Sequence, residues 1–525
     1  MSFFSDWKPM LVKMNSALGL TKVEDRAQYY YLLMAGMCIA VVSLSRLFNK
    51  RKLEVKVPLE GSSGVVSSYV DAYDFIANAK SVLKRAYVKY GNGTFKIPAM
   101  NRYTVIINKR ELIEEIRKAP DNKASFAEAI IDDFAFRWTF GLKVARNRYH
   151  VTIVRNQLTR SLGLLFDDVY DEIIQAFNDL IPKSNDWVAI PALDTMRHIV
   201  CRASNRIFVG VPLCRDPEFA ELSVNFAIDT MKTVYMIQDM PVPLRPVVGA
   251  YFSPTARSVR RAMKLLRPVL EERFRMYDEN GDDWSGKPVD MISWLIDEAP
   301  QNEKRSIRDL TVRLLHLNFV AMNATSNSFT HALFHLAAEP QYIHPLRDEI
   351  EQVIKEEGWS KVAMTKMWKL DSFMKESMRF NGINLLTLNR KIMSDFTLSD
   401  GTFLPMGTFI AANLIATHQD ESYYPGADKF DGFRFAKLRE QSSEEGVKHQ
   451  MVNTNPEYLA FGLGHHACPG RFFAVNELKA IMAHLILNYD VKAEMEGVRP
   501  ENVYHRSRVG PNPKAKVLLK KRKDA

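Results

Sequence analysis

The chain has 525 residues, 46% hydrophobic and 25% charged, a globular composition with room for one large domain or several small ones. Four cysteines (Cys38, Cys201, Cys214 and Cys468) are too few and too scattered for a disulfide framework, so Cys201 and Cys214 are expected as reduced thiols. The net charge of +10 is partly local, with six basic side chains between Lys514 and Lys523, and no zinc-finger or RNA-binding motif accompanies it, which argues against nucleic acid as a partner.

Residues 1–26 form an N-terminal segment, and residues 27–48 are predicted to be a transmembrane anchor. The run AQYYYLLMAGMCIAVVSL (Ala27–Leu44) carries no charge and approaches the ~20 apolar residues that a bilayer needs. Tyr29, Tyr30 and Tyr31 stand where an interfacial belt would lie. Arg46, Lys50, Arg51 and Lys52 follow, which places the C-terminal side in the cytosol. A buried soluble helix is the alternative. Residues 49–64 are a basic, then Gly/Ser-rich linker, and 65–525 reads as one domain without repeats.

Most of that domain reads as helix. Two β-like islands, Phe95–Ile107 and Phe396–Leu414, make it mainly α with small β-sheets, an α+β fold. Met240–Phe252 is apolar and proline-rich, a connector between helical stretches. Ser306–Ala338 reads as one long helix: Ser306 with Asp309 forms a capping-box pattern and Pro340 marks the stop. At ~1.5 Å per residue it would cross a whole domain. Its first part is apolar nearly all round, and then Asn323-Ala-Thr-Ser-Asn-Ser328 interrupts. These polar groups either bond back to helix carbonyls or line a groove with a proton relay. Glu376 and Arg379, three residues apart, share one helix face. The basic tail 514–523 is either a solvated end or a contact for acidic headgroups or an acidic partner.

The densest signal is Phe461-Gly-Leu-Gly-His-His-Ala-Cys-Pro-Gly-Arg471, a glycine-punctuated loop running into an apolar helix. A cysteine just before a helix N-terminus feels the positive end of the helix dipole, which favours the ionised sulfur. Gly464 and Gly470 are expected to permit tight turns and close approach to a flat ligand. Backbone N–H groups can point at the sulfur, and Phe461 can shield it from water. The setting suits a thiolate ligand to haem iron, with a buried structural cysteine as the alternative.

Phe461, Gly464, His466, Cys468 and Gly470 stand in the order of the haem-binding signature of the cytochrome P450 family, which this chain resembles. Glu376-Ser-Met-Arg379 and Phe430-Asp-Gly-Phe-Arg434-Phe435 are similar to the family's two other hallmarks, and FDGFRF with the loop histidine resembles fungal members related to ent-kaurene oxidase and to mushroom steroid and terpenoid hydroxylases. The resemblance implies a P450 fold with an N-terminal transmembrane helix, and haem b held by Cys468 as the metal ligand. It also implies a buried Glu376–Arg379–Arg434 network that locks the cysteine loop.

Other positions depart from the family pattern. In the Ala/Gly-Gly-x-Asp/Glu-Thr-Thr motif, a register starting at Val320 puts Asn323 at the acid, Ala324 at the first threonine and Thr325 at the second. Sliding by one makes Thr325 the first threonine. Proton delivery would then use Thr325, Ser326 and water, or a substrate hydroxyl. The family's Trp-x-x-x-Arg is not met at Trp138, where Leu142 takes the arginine place, so His150, Arg155 and Arg160 are the substitute propionate ligands, with His466 and Arg390 alongside. By the same resemblance, Asn381–Thr387 with Phe319 and Met322 would line the pocket, and Met240–Phe252 would cover its entrance.

The expectation is a haem-thiolate monooxygenase in the endoplasmic reticulum membrane, its catalytic domain facing the cytosol. It would take electrons from NADPH–cytochrome P450 reductase and oxidise an apolar terpenoid, steroid or resin acid. The absence of a Gly-x-Gly-x-x-Gly fingerprint fits electrons arriving from a partner. Two other classes stay open: a reductase-independent haem-thiolate isomerase, dehydratase or peroxygenase, and a non-catalytic haem- or sterol-binding membrane protein.

Overall fold

The computed structural model describes residues 55–240 and 242–523, with Gly36 and Ala40 before them. The anchor predicted over residues 27–48 thus lies outside the described residues, those two positions apart. Among the described residues no helix is long and apolar enough to cross a membrane.

The two β-like islands meet each other. β1 (Phe95–Pro98) and β2 (Tyr103–Ile107) form a hairpin, and β2 pairs in parallel with β8 (Phe409–Asn413) from Thr104↔Phe409 to Ile107↔Ala412. With β3 (Ala124–Ser125) and β5 (Leu386–Ile392) they make a five-stranded sheet of order β1-β2-β8-β5-β3. β5 carries a bulge between Thr387 and Arg390, and Leu388 takes φ +53. A regular strand shows alternate residues to one face, whereas here every residue from Leu386 to Lys391 reaches the same cavity. The last two residues of the expected pocket segment, Leu386 and Thr387, therefore lie in this strand.

The central helix, Ile307–Ala338, runs through the main apolar core, where its residues cluster with those of Ala192–Phe208 and the cysteine helix, Arg471–Asn488. Ser306 Oγ accepts from Asp309 N at 3.3 Å, closing the expected N-terminal cap. Phe319 and Met322, expected at the pocket, belong instead to a buried cluster with Phe140 and Phe226.

Three smaller elements complete the frame: the pairs β6 (Phe396–Thr397) with β7 (Phe403–Leu404) and β10 (Asn502–His505) with β11 (Arg508–Pro511), and the sheet β4-β12-β9. In that sheet β12 (Lys516–Lys521) is the middle strand, between β4 (Val188–Pro191) and β9 (Tyr489–Ala493). The basic tail is thus folded rather than frayed, because Val517 and Leu519 alternate into the core while the lysines stay outside. The connector after residue 240 folds as a short turn, Val242–Leu244, and a helix, Arg245–Phe252. Gly249 packs directly on the Trp138 ring, where a Cβ would collide, while Val247, Tyr251 and Phe252 are exposed.

Candidate active site

Cys468 stands between a short 3-10 turn, Gly464–His466, and the cysteine helix. Its N–H donates back to Phe461 O at 2.8 Å, and Ala467 N–H donates to Gly464 O at 3.0 Å. Burial pushes the Cys468 thiol up; the N–H groups of Gly470 and Arg471 and the Arg471 guanidinium pull the other way. Gly464 sits at φ +68, and a Cβ there would stand 2.7 Å from Arg117 Cγ, so any other residue would be strained and would displace Arg117. Gly470 does not share that role: its φ is −90, and the second left-handed glycine of the loop is Gly462 at φ +72.

Behind the loop, the helix Trp368–Phe380 brings Glu376 and Arg379 together. Arg379 donates Nε to Glu376 Oε2 and Nη2 to Oε1, both at 2.8 Å, and Arg434 donates Nε to Oε1 at 3.1 Å. Arg379 Nη1 also reaches the carbonyls of His418 and Ala427, and Arg434 Nη1 that of Pro425. A buried charge of this kind is tolerable only because its donors are satisfied. One further residue links the network to the cysteine loop. His418 Nε2 accepts from Leu459 N–H at 3.0 Å, so its Nδ1 carries the proton toward Arg379 O at 3.3 Å. Burial, with Arg379 nearby, pulls the His418 ring down to about 3, which keeps it in this neutral form.

A cavity of about 830 Å³ opens on the sulfur, lined by Phe461, His466, Cys468, Pro469, Arg390 and Phe126 among others. Arg390 is fully buried; its Nη1 donates to Asn389 O at 2.9 Å, while Nε and Nη2 have no partner. Burial lowers this guanidinium to about 10, against the pull of Asp121. The Phe126 ring is flanked by two guanidinium groups, Arg390 Cζ at 5.4 Å and Arg148 Cζ at 5.9 Å, and by the His466 ring at 5.2 Å, which burial and Arg390 hold below the usual imidazole range. His466 Nε2 lies 2.8 Å from Asp121 Oδ1. A cysteine sulfur and a buried guanidinium with two unused donors on one cavity fit haem, with Cys468 as the thiolate ligand and Arg390 for a propionate.

The other propionate substitutes lie elsewhere. His150 is buried, and its Nδ1 accepts from Arg313 Nη1 at 2.9 Å. Burial, together with His316 and Arg313, keeps its ring neutral, so it offers no cation. Arg155 is exposed and donates Nη2 to His465 O at 3.2 Å, bracing the loop from outside, and Arg160 is also exposed. In the pocket segment, Asn384, Leu386 and Thr387 line the cavity, whereas Asn381 is buried between His335 (2.6 Å) and Asn502 (2.9 Å).

From the central helix, Val320 lines the cavity and is 45% exposed, while Thr325 is 3% exposed and Ser326 fully buried. Helical periodicity sets Ala324, half-buried, one turn from Val320, and turns Thr325 off that line. Asn323 is half-buried next to it. Asn323, Ala324, Thr325 and Ser326 are not among the described residues that line the cavity. Phe126, Arg148 and His418 were missed by sequence reasoning: their partners are far away in the chain, and none stands in a recognisable spacing.

This geometry defines a protein built to hold a flat, anionic prosthetic group on a cysteine sulfur. The cytochrome P450 family model matches residues 72–519. "Cytochrome P450 monooxygenase 71" of Postia placenta is 44% identical over 504 residues, covering 95% of this chain and 99% of that protein. "Cytochrome P450 monooxygenase CYP512U6" of Ganoderma lucidum is 36% identical, covering 89% and 92%. "Ent-kaurene oxidase" of Gibberella intermedia is 33% identical, covering 89% and 88%. The chain belongs to the cytochrome P450 monooxygenase family, which implies haem as its cofactor.

Proposed function

We propose that this chain is a membrane-anchored haem-thiolate monooxygenase that oxidises an apolar small molecule of the terpenoid, steroid or resin-acid class. The observation that carries this reading is one cavity that joins Cys468, Arg390 with two unused donors, and apolar wall residues such as Phe126, Val320 and Ile410. A relative named for ent-kaurene oxidation supports an apolar substrate. Haem, when bound, supplies the activation of O2, one atom of which enters substrate while the other leaves as water.

The chain's own residues do the rest. Cys468 presents its sulfur, and the N–H groups of Gly470 and Arg471 temper the charge on it. Arg390, with His466 and Arg148 around Phe126, holds the anionic edge of the cofactor. Asn323, half-buried one residue before Ala324, orders the water that brings protons in, and the buried Thr325 and Ser326 take no part. Arg117 and Arg155 touch the outer side of the cysteine loop and offer a basic landing for an acidic reductase, an encounter that salt should weaken. Residues 27–48 anchor the chain in the endoplasmic reticulum membrane with the domain on the cytosolic side, and the exposed Val247, Tyr251 and Phe252 meet the bilayer beside the cavity-lining Val242 and Arg245.

Ala324 favours a second reading, because it places no hydroxyl on the cavity line. A reductase-independent isomerase, dehydratase or peroxygenase has no need of one there. Reconstitution with an NADPH–cytochrome P450 reductase decides between them: substrate-linked NADPH consumption with an oxygenated product supports the monooxygenase, and turnover indifferent to NADPH supports the second reading.

A further inference from the structure

A separate stretch of the same cavity wall holds an arginine whose guanidinium has no ion-pair partner among the described residues. Arg508 begins β11 and lines the cavity, with its guanidinium 4.6 Å over the Phe134 ring. Its guanidinium makes no hydrogen bond or ion pair with any described residue. Asp133 is the carboxylate near enough to feel it, yet both Asp133 oxygens are committed, Oδ1 to Arg102 at 2.5 Å and Oδ2 to Asn389 at 3.1 Å. Asp132 is paired with Lys391 at 2.8 Å, and Asp239 is paired with Arg506. Arg245, also on the cavity, donates Nε to Met240 O at 3.1 Å and leaves its buried Nη2 without a partner. The wall here has more cationic donors than the described residues accept.

Arg508 is also held in place. Beside it, Val509 N–H donates to Ile383 O at 2.9 Å, Leu385 N–H to Ser507 O at 2.7 Å and Arg506 N–H to Ile76 O at 2.8 Å. The β10–β11 turn is therefore clipped on both sides, and the guanidinium stands on a fixed support. Burying a cation on such a support without a counter-ion is costly, and a ligand that brings the anion removes the cost. The fork of a guanidinium matches a carboxylate in two parallel hydrogen bonds. Apolar side chains, among them Phe134, Leu386 and Val320, share the wall with these polar groups.

We infer that Arg508 docks a carboxylate of the substrate, so that the enzyme selects apolar carboxylic acids over their neutral counterparts. This rests on the reading of the Cys468 cavity as the oxidation site. Arg508 is a positioning residue: by holding the acid group it fixes which part of the apolar body faces Cys468. A haem propionate carries the same chemistry, so the test separates the two sources.

The holoprotein is titrated with dodecanoic acid against methyl dodecanoate, and with abietic acid against its methyl ester, following the haem spin-state change. Haem content is measured separately. At least one acid is expected to bind about tenfold or more tighter than its ester. Arg508→Gln should abolish that preference while leaving ester affinity within about twofold, and Arg508→Lys should recover part of it. Equal binding of acid and ester by the unmodified protein in both pairs would overturn the inference, as would an Arg508→Gln variant that weakens both alike. If Arg508→Gln instead loses haem, and the fraction still loaded keeps its acid preference, the guanidinium serves a propionate and the inference fails. Should that variant not fold, Arg508→Lys and the acid–ester comparison on the unmodified protein decide. Failure of the haem-thiolate reading itself would show separately, as a haem whose spectrum does not depend on Cys468.

Discussion

On the cysteine side of the cavity, polar atoms are closely committed: Glu376 takes Arg379 and Arg434, His418 bridges Arg379 O to Leu459 N–H, and the loop closes on itself from Cys468 to Phe461. On the facing side, Val320 offers no polar contact and the Arg508 guanidinium has no partner among the described residues. The first region is a rigid mount, where removing one member leaves another stranded. The second is a surface whose unmet chemistry belongs to a ligand. Damage to the mount should therefore appear as loss of cofactor and stability, and changes on the facing side as altered binding with the fold intact.

The largest expected effect is that of Arg379→Ala. It leaves Glu376 buried without its main partner, at a cost of about 3–5 kcal/mol. Haem content and thermal midpoint should both collapse, and a variant that keeps its haem would break the mount account. Next comes Arg390→Leu. Losing a buried guanidinium with two donors for a propionate should weaken haem retention by about 1.5–3 kcal/mol, measured as transfer to apomyoglobin. The exposed Arg155→Ala serves as control and should change it by less than about 1 kcal/mol.

His418→Phe is a milder break in the same region. It strands the Leu459 N–H at about 1–3 kcal/mol, so the thermal midpoint should fall without a change in product. Glu477, on the cysteine helix, tests burial alone. Its Oε1 accepts from Ser204 at 2.7 Å, its Oε2 has no partner, and burial pushes the carboxyl up to about 8. Between about pH 4.3, where this carboxyl titrates in the unfolded chain, and pH 8 the folded protein holds the extra proton, so stability falls as pH rises. Glu477→Gln should flatten that fall in a pH series of thermal midpoints. The smallest effect is expected on the facing side: Thr325→Ala should leave the ratio of product to NADPH nearly unchanged, because Thr325 is turned off the cavity line. A surge of peroxide in that variant would put Thr325 back in the proton path.

What could be read from the sequence follows the range of the interactions. Glu376 and Arg379 are three residues apart, Ser306 and Asp309 likewise, and the Cys468 loop is contiguous, so each shows as a spacing. His418 joins residues 39 and 41 positions away, and Arg148 and Arg390 meet only on the Phe126 ring, so no window contains them. The polar patch 323–328 was visible, but its register was not, because the departure at Ala324 left two alignments that only the helix's orientation separates. β12 hid its alternation of Val517 and Leu519 under its lysines. His150 was misplaced for a different reason: a charge-capable residue in a helix says nothing about burial, and burial is what neutralises it.

The most direct test of the central claim is the reduced, CO-bound difference spectrum of the full-length protein beside Cys468→Ser. The account predicts the red-shifted Soret band of a thiolate-ligated haem in the unmodified protein and its loss in the variant. A haem-loaded protein whose band is indifferent to that substitution would contradict the assignment of Cys468, and with it the mount on which the rest depends.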